Sequence, residues 1–412
     1  MPVSSAPLPA PPPAPLSPTA DPPRLAWIED GEPRSARWHS ERDDPPPQRV
    51  VLADDTSSAD AAYRLACEGT ALLWRGDFQN ARHLLQALAR RADRPPRRMT
   101  PRAGAPASGA APGVAFHQHR QAQAQRARVL AMLLIPLEAD YSIALRRAPD
   151  WRLACAQVWG EADGDSAASV ASLRELLGIV SAHEWRKNGV AIEALGPPPN
   201  NRIHPHYGVF SPVRGEYVQL VADAPLPAPP SGEFVAFDIG TGTGVLAAAL
   251  ARRGFRVVAT DMDERALACA RENLAHLAVA DRVEVLQADL FPPGRAGLIV
   301  CNPPWVPARP GSAIERAIYD EVSRMLLGFL AGLAAHLDPG GEGWLILSDL
   351  AEHLGLRTRA ELLLAVEGAG LRVLGRIDRR PMHRKAFDAS DPLHAARAAE
   401  VTSLWRLGPA GA

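Results

Sequence analysis

Asn302-Pro303-Pro304-Trp305 directly follows the apolar run Leu298, Ile299, Val300 and Cys301. These residue types suit the gripping of a planar nitrogen. The Asn302 side-chain carbonyl and the Pro303 backbone carbonyl can each accept one N–H of an amide or exocyclic amine. Pro303 and Pro304 fix the backbone, and Trp305 offers a flat surface for stacking. A trigonal nitrogen with a delocalised lone pair is a poor nucleophile. If it turns tetrahedral and gains positive charge, two oxygen acceptors match the changed state better than the ground state. Such chemistry works by alignment and electrostatics and requires no acidic or basic side chain.

A second set of residues precedes it. Phe237-Asp238-Ile239-Gly240-Thr241-Gly242-Thr243-Gly244 joins an apolar run to the Ala- and Leu-rich stretch 245–253, the pattern of a buried strand, a tight glycine turn and a helix. Residues without side chains let a backbone approach a ligand, and the helix start presents unpaired N–H groups to an anion. Asp261, with Met262, follows the strand predicted at 255–260, where a carboxylate can accept both hydroxyls of a ribose. Asp289, with Leu290, follows the strand predicted at 283–286, a place for an acceptor facing an adenine amine. Asp263 opens the helix predicted at 264–277 and is expected to cap it. Gly242-x-Gly244-x-x-Ala247 also satisfies a dinucleotide pattern, so a nicotinamide oxidoreductase shares these features. Asn302-Pro303-Pro304-Trp305 has no use in that chemistry.

Gly240, Gly242, Gly244, Asp261, Asp289 and Asn302-Pro303-Pro304-Trp305 together resemble the class I methyltransferases of the small-domain type. That group includes the HemK-type release-factor glutamine methyltransferases and the amino-methyltransferases of DNA and RNA bases. The resemblance covers roughly residues 208–407. It implies S-adenosylmethionine as cofactor, held by Asp238, Gly240, Thr241, Gly242, Gly244, Asp261, Met262, Asp289 and Leu290. It implies that Asn302, Pro303, Pro304 and Trp305 hold the acceptor nitrogen in line with the sulfonium methyl. The segment 208–216 stands where HemK-type enzymes carry Ile-Pro-Arg-Pro-Glu-Thr-Glu, which makes Pro212 and Arg214 candidate substrate contacts. Trp305 stands where the glutamine enzymes have Tyr. The acceptor therefore stays open between a protein glutamine amide and the exocyclic amine of an RNA or DNA base. A non-catalytic binding protein on the same fold is a further alternative.

The elements that must position these residues alternate strand and helix, with strands marked by Phe234, Val257, Val283, Leu298, Trp344 and Leu371 and a seventh at 400–407. That alternation predicts a doubly wound, mostly parallel, Rossmann-like α/β sheet with ligands beyond the carboxyl ends of its strands. The loop after the 371–377 strand emerges on that face and carries Arg379, Arg380, His383, Arg384 and Lys385, so Arg384 is a third candidate substrate contact.

The chain is long for one domain: 412 residues, 47% of them hydrophobic. Its 45 basic and 46 acidic side chains nearly cancel, so no global field draws it to nucleic acid. We expect residues 1–57 to form a disordered Pro-rich tail, 58–189 a helical accessory domain that recognises the substrate, 190–230 a hairpin and linker, and 231–408 the cofactor-binding domain. Within the accessory part, Leu65, Leu72, Leu73, Leu84, Leu85 and Leu88 are core candidates, Asp77 is a helix cap, and 117–147 reads as a helix kinked near Pro136. The hairpin is expected to pair 190–192 with 207–210. Residues 1–23 lack a basic n-region and are broken by prolines, unlike a signal peptide. The longest apolar run, 129–137, falls short of the about 20 residues of a spanning helix. Cys67, Cys155, Cys269 and Cys301 lack CxxC spacing and fit reduced cytosolic thiols. His117-x-His119 does not put two ligands on one helix face, so no metal is expected. Eleven Arg and two Asp between Arg75 and Arg128 are either an RNA phosphate track or a solvated surface.

Overall fold

The computed structural model describes residues 22–41, 44–94, 112–162, 167–227, 234–312, 314–381, 388–389 and 391–411. Residues 1–21 of the expected tail lie outside the described residues; from residue 22 onward the amino-terminal part is not a tail followed by helices. It is an α/β unit on a six-stranded mixed sheet: β1 (Arg24–Glu29), β2 (Glu32–Trp38), β3 (Arg49–Ala53), β4 (Thr70–Trp74), β5 (Leu133–Leu137) and β6 (Ser169–Ser172), in the order β1-β2-β6-β5-β4-β3. Two local features overturn the expectation. Glu29 pairs with Glu32 across a two-residue turn at Asp30 and Gly31, both at positive φ, which is the hairpin chemistry of an Asp-Gly pair. Leu72 and Leu73 are core residues, but of a strand whose five residues are all buried, a short apolar run that periodicity cannot tell from a helix segment.

The helix expected at 117–147 ends at Ala131, and Pro136 lies in β5, where pairing to β4 stops at Leu134. Asp77 does cap the Phe78–Ala92 helix, accepting from the Gln79 amide at 2.9 Å. Ser172 caps the Leu173–Asn188 helix, which ends at Gly189 with φ 66°.

The hairpin joins β7 (Val190–Ala191) to β8 (Arg202–Ile203), not to 207–210. Nor is 190–230 a linker. The Glu216–Asp223 helix buries Tyr217, Val218, Leu220 and Val221 in the same core as Leu250 and Phe255.

The second sheet contains β9 (Val235–Ile239), β10 (Arg256–Asp261), β11 (Val283–Gln287), β12 (Ala296–Cys301), β13 (Leu337–Ser348), β14 (Leu371–Arg379) and β15 (Thr402–Pro409), in the order β11-β10-β9-β12-β13-β15-β14. The first five are parallel, and β15 runs antiparallel to both neighbours. Every residue of β12 is buried, each large apolar side chain contributing about 1.5–3 kcal/mol. From β9 the chain winds outward to β10 and β11, then returns to place β12 on the other side of β9. The order reverses between β9 and β12, where doubly wound sheets open a crevice at their carboxyl ends.

Candidate active site

The glycine loop follows β9 and Asn302 follows β12, so the two motifs flank that crevice from adjacent strands. Gly240, Gly242 and Gly244 have φ of 74°, 55° and 80°. A side chain on Gly240 would collide with the Met325 methyl, whereas one on Gly242 would meet nothing within 4 Å. The Gly240 and Thr241 amides donate to the Thr260 carbonyl at 2.9 and 2.8 Å, fastening the loop to β10.

Asp238 lies inside this turn with 0% exposure. Its Oδ2 accepts from Thr241 Oγ1 at 2.7 Å and from the Ala247 amide at 3.0 Å, while Oδ1 has no hydrogen-bond partner among the described residues. Burial lifts its carboxyl to about 6 against those two bonds. Thr241 is likewise buried, so Asp238 and Thr241 shape the loop from within. Asp261, at the end of β10, accepts from the Gly242 amide through Oδ2 and from the Asp263 amide through Oδ1, both at 3.0 Å, and burial raises its carboxyl above the usual range. Asp263 caps the Glu264–His276 helix through the Arg265 amide, as expected.

This arrangement fits the loop end of an S-adenosylmethionine site: an open approach at Gly242, an unpartnered buried oxygen on Asp238, and a carboxylate at the end of the second strand. The other end differs from expectation. Asp289 carries an ion pair with Arg324 at 2.5 Å, the side chains being 50% and 58% exposed, so its carboxylate is already engaged by a cation that an adenine amine would have to share or displace. Arg324 begins the helix Arg324–His336, whose second residue, Met325, meets Gly240. Exposed Met262 lies against the same guanidinium at 4.0 Å, and Leu290, at φ 74°, accepts from Thr260 Oγ1 through its carbonyl. Arg324 and Met325 carry no motif signal, and only the fold brings them to the loop.

At β12, Trp305 is not a free stacking surface. Its indole N–H donates to Asn302 Oδ1 at 2.8 Å, and its ring packs against both cores of the second sheet. The Arg214 guanidinium sits 5.6 Å from the Trp305 ring centroid. Arg214 is engaged within the protein: it forms a two-point ion pair with Glu400 at 3.1 and 2.8 Å. Its Nε lies 3.4 Å from Glu216, whose carboxyl is raised chiefly by burial. Pro212 is buried and presents no contact surface. Arg384, His383 and Lys385 lie outside the described residues. Arg379 pairs with Asp223.

Four arginines of the 75–128 stretch are also engaged by carboxylates. Arg75 pairs with Glu29, Arg91 with Asp60, Arg126 with Asp93, and Arg120 with Glu315. Unanticipated from sequence is a cleft of about 570 Å³ between the amino-terminal unit and the second sheet's domain, lined by Trp38, Glu41, Glu175, Trp185, Tyr207 and Ile314 among others. Glu175 accepts from the Glu41 amide at 3.0 Å and is pushed up to about 7, by burial first and then by the Glu41 charge.

Residues 200–360 match the family model described as methyltransferase small domain. The chain is 34% identical to the release factor glutamine methyltransferase of Cereibacter sphaeroides over 171 residues, 39% of this chain and 58% of that protein. It is 47% identical to the ribosomal protein L11 methyltransferase of Desulfitobacterium hafniense over 16% of this chain and 22% of that protein. It is 42% identical to the tRNA1(Val) (adenine(37)-N6)-methyltransferase of Bacteroides thetaiotaomicron over 16% of this chain and 31% of that protein. The chain thus spans less than two thirds of the length of these curated relatives.

Proposed function

We propose that this protein transfers a methyl group from S-adenosylmethionine to a planar nitrogen of a macromolecule, and that the acceptor is a glutamine amide in a polypeptide. The observation that carries this reading is the Trp305–Asn302 hydrogen bond at the carboxyl end of β12, next to the glycine loop. One lone pair of the Asn302 carbonyl receives the indole, which fixes its direction, and the second remains for an N–H of the acceptor. The Pro303 carbonyl takes the other N–H. The Gly242 backbone, Asp238 and Asp261 hold the cofactor, with Met262, Asp289 and Leu290 at its adenine end. When bound, the cofactor supplies a methyl group on a cationic sulfur. The chain's part is to align the nitrogen and stabilise the positive charge it gains.

The choice of polypeptide over nucleic acid is supported by charge. A phosphate chain needs unpaired cations, and Arg75, Arg91, Arg120 and Arg126 already bind carboxylates. The cleft flanked by the 208–211 segment and Ile314 carries Glu41, Asp44 and Glu175 against Arg128 and Arg174. It has aromatic walls for apolar side chains and no net positive field for phosphates. To test this, extract of a deletion strain is incubated with the enzyme and labelled methyl donor, then split into nuclease- and protease-treated portions. Label lost only with protease, and recovered as methylglutamine after exhaustive enzymatic digestion or as methylamine after acid hydrolysis, supports the reading. Label in RNA or DNA replaces it with a base amine as acceptor.

A further inference from the structure

We infer that Glu400 is a positioning residue for Asn302, acting through Arg214 and Trp305; the inference rests on the methyltransferase reading above. Five side chains form an unbroken series. Ser348 Oγ donates to Glu400 Oε1 at 2.6 Å, and Glu400 receives both terminal nitrogens of Arg214 at 3.1 and 2.8 Å. The Arg214 guanidinium stands 5.6 Å from the Trp305 ring centroid, and Trp305 Nε1 reaches Asn302 Oδ1 at 2.8 Å. That ring distance is within the roughly 6 Å over which a cation is drawn to an aromatic face.

The series is built from rigid parts. Ser348 ends β13 and pairs with Thr402 of β15, and the Glu400 side chain, 0% exposed, lies two residues before Thr402. Cys301 of β12 is paired with Leu345 of β13, so Ser348 and Glu400 emerge beside Asn302 at the same edge of the sheet. Arg214 enters from the turn before the Glu216–Asp223 helix.

A buried carboxylate and a largely buried guanidinium both lose hydration, and an apolar pair would fill the space at lower cost. What the ionic pair adds is direction. A two-point guanidinium–carboxylate contact fixes the plane of the guanidinium, and a fixed plane over Trp305 restricts the swing of its ring. The indole N–H then aims at Asn302 Oδ1, which sets where the free lone pair of that carbonyl points. None of the four side chains upstream of Asn302 needs to touch substrate.

The test uses the full chain with ¹⁵N-labelled tryptophan, the Trp305 indole cross-peak being assigned by its loss in Trp305→Phe. Glu400→Gln keeps the volume and one acceptor but removes the charge. It should displace the Trp305 cross-peak by more than a linewidth, leave KM for S-adenosylmethionine unchanged, and lower kcat for transfer to the labelled extract acceptor by roughly tenfold or more. Arg214→Lys, which keeps the charge but not the planar fork, should do the same and carries the test if Glu400→Gln fails to fold. An unmoved cross-peak in a folded variant, or a displaced one with kcat unchanged, overturns the assignment. Failure of the wild type to bind S-adenosylmethionine would instead sink the methyltransferase reading, and the cross-peak comparison separates the two failures.

Discussion

Trp305 Nε1 donates to Asn302 Oδ1 across 2.8 Å, so the flat side chain of the acceptor motif is an orienting group for the carboxamide three residues before it. Phenylalanine keeps a ring but has no N–H. Trp305→Phe should therefore lower kcat by roughly tenfold, the scale of one lost hydrogen bond of about 1.5 kcal/mol, with cofactor affinity unchanged. Asn302→Ala removes the acceptor itself and should lower kcat by roughly a hundredfold or more. Steady-state transfer to the extract acceptor, with calorimetric titration of S-adenosylmethionine, checks both. Equal losses in the two variants would mean that Trp305 matters for more than orientation.

The cofactor end is tested separately. Gly242 combines φ of 55° with open space where a side chain would project, so Gly242→Val strains the turn and fills the approach. Asp261→Ala removes the acceptor that also binds the Gly242 amide. Loss of a charged acceptor costs about 1.5–3 kcal/mol, which is roughly a ten- to hundredfold rise in the dissociation constant. Titration showing wild-type affinity in both variants would contradict the cofactor site.

Arg324 is predicted to act in the opposite sense. Its pair with Asp289 is half exposed, and such pairs are weak because solvent screens them. If the adenine amine competes with Arg324 for Asp289, Arg324→Ala should tighten S-adenosylmethionine binding by up to about fivefold, while Asp289→Ala should not. A weaker complex in Arg324→Ala would make the guanidinium part of the cofactor site.

Glu175 gives a pH signature. Its carboxyl is raised from 4.5 to about 7 in the fold, chiefly by burial in the cleft. Below about 4.5 both folded and unfolded chains carry the proton. Between those values the unfolded chain releases it and the fold keeps it, so stability falls as pH rises through that window and levels off above it. Glu175→Gln should raise Tm at pH 8, change it little at pH 4, and flatten the decline between. Thermal melts over that range decide, and an unchanged slope would show that Glu175 ionises normally.

Local chemistry made one part of the site legible and long-range packing hid the rest. The glycine loop, Asp261 and Asn302 each follow a strand directly, so a strand pattern with its next few residues was enough to place them on one face. The partner of Arg214, Glu400, is 186 residues away, and nothing near either residue in the sequence announces the other. Asp289 has the strand-end position of an adenine acceptor, and Arg324 reaches it only through the packing of the Arg324–His336 helix. In the amino-terminal unit, the Asp30-Gly31 turn was a hairpin signal set among prolines, and Thr70–Trp74 was too short for periodicity to identify as a strand.

The last prediction concerns the partner's charge. If the 75–128 arginines followed a nucleic acid backbone, affinity would fall with salt with a log–log slope of roughly −0.7 to −0.9 for each phosphate neutralised, because condensed counterions are released. Arg75, Arg91, Arg120 and Arg126 are held by Glu29, Asp60, Glu315 and Asp93, so none of these four is offered to a phosphate without breaking an ion pair. A polypeptide acceptor has no condensed counterions to release. Transfer to the extract acceptor, measured as kcat/KM across a salt series, should therefore show a slope shallower than about −2, and charge reversal at Arg126 should leave it unchanged. The same series with structured RNA as ligand should show no binding beyond weak, low-salt association. A steep slope that flattens in Arg126→Glu would assign the stretch to phosphate contacts and return the base amine as the acceptor.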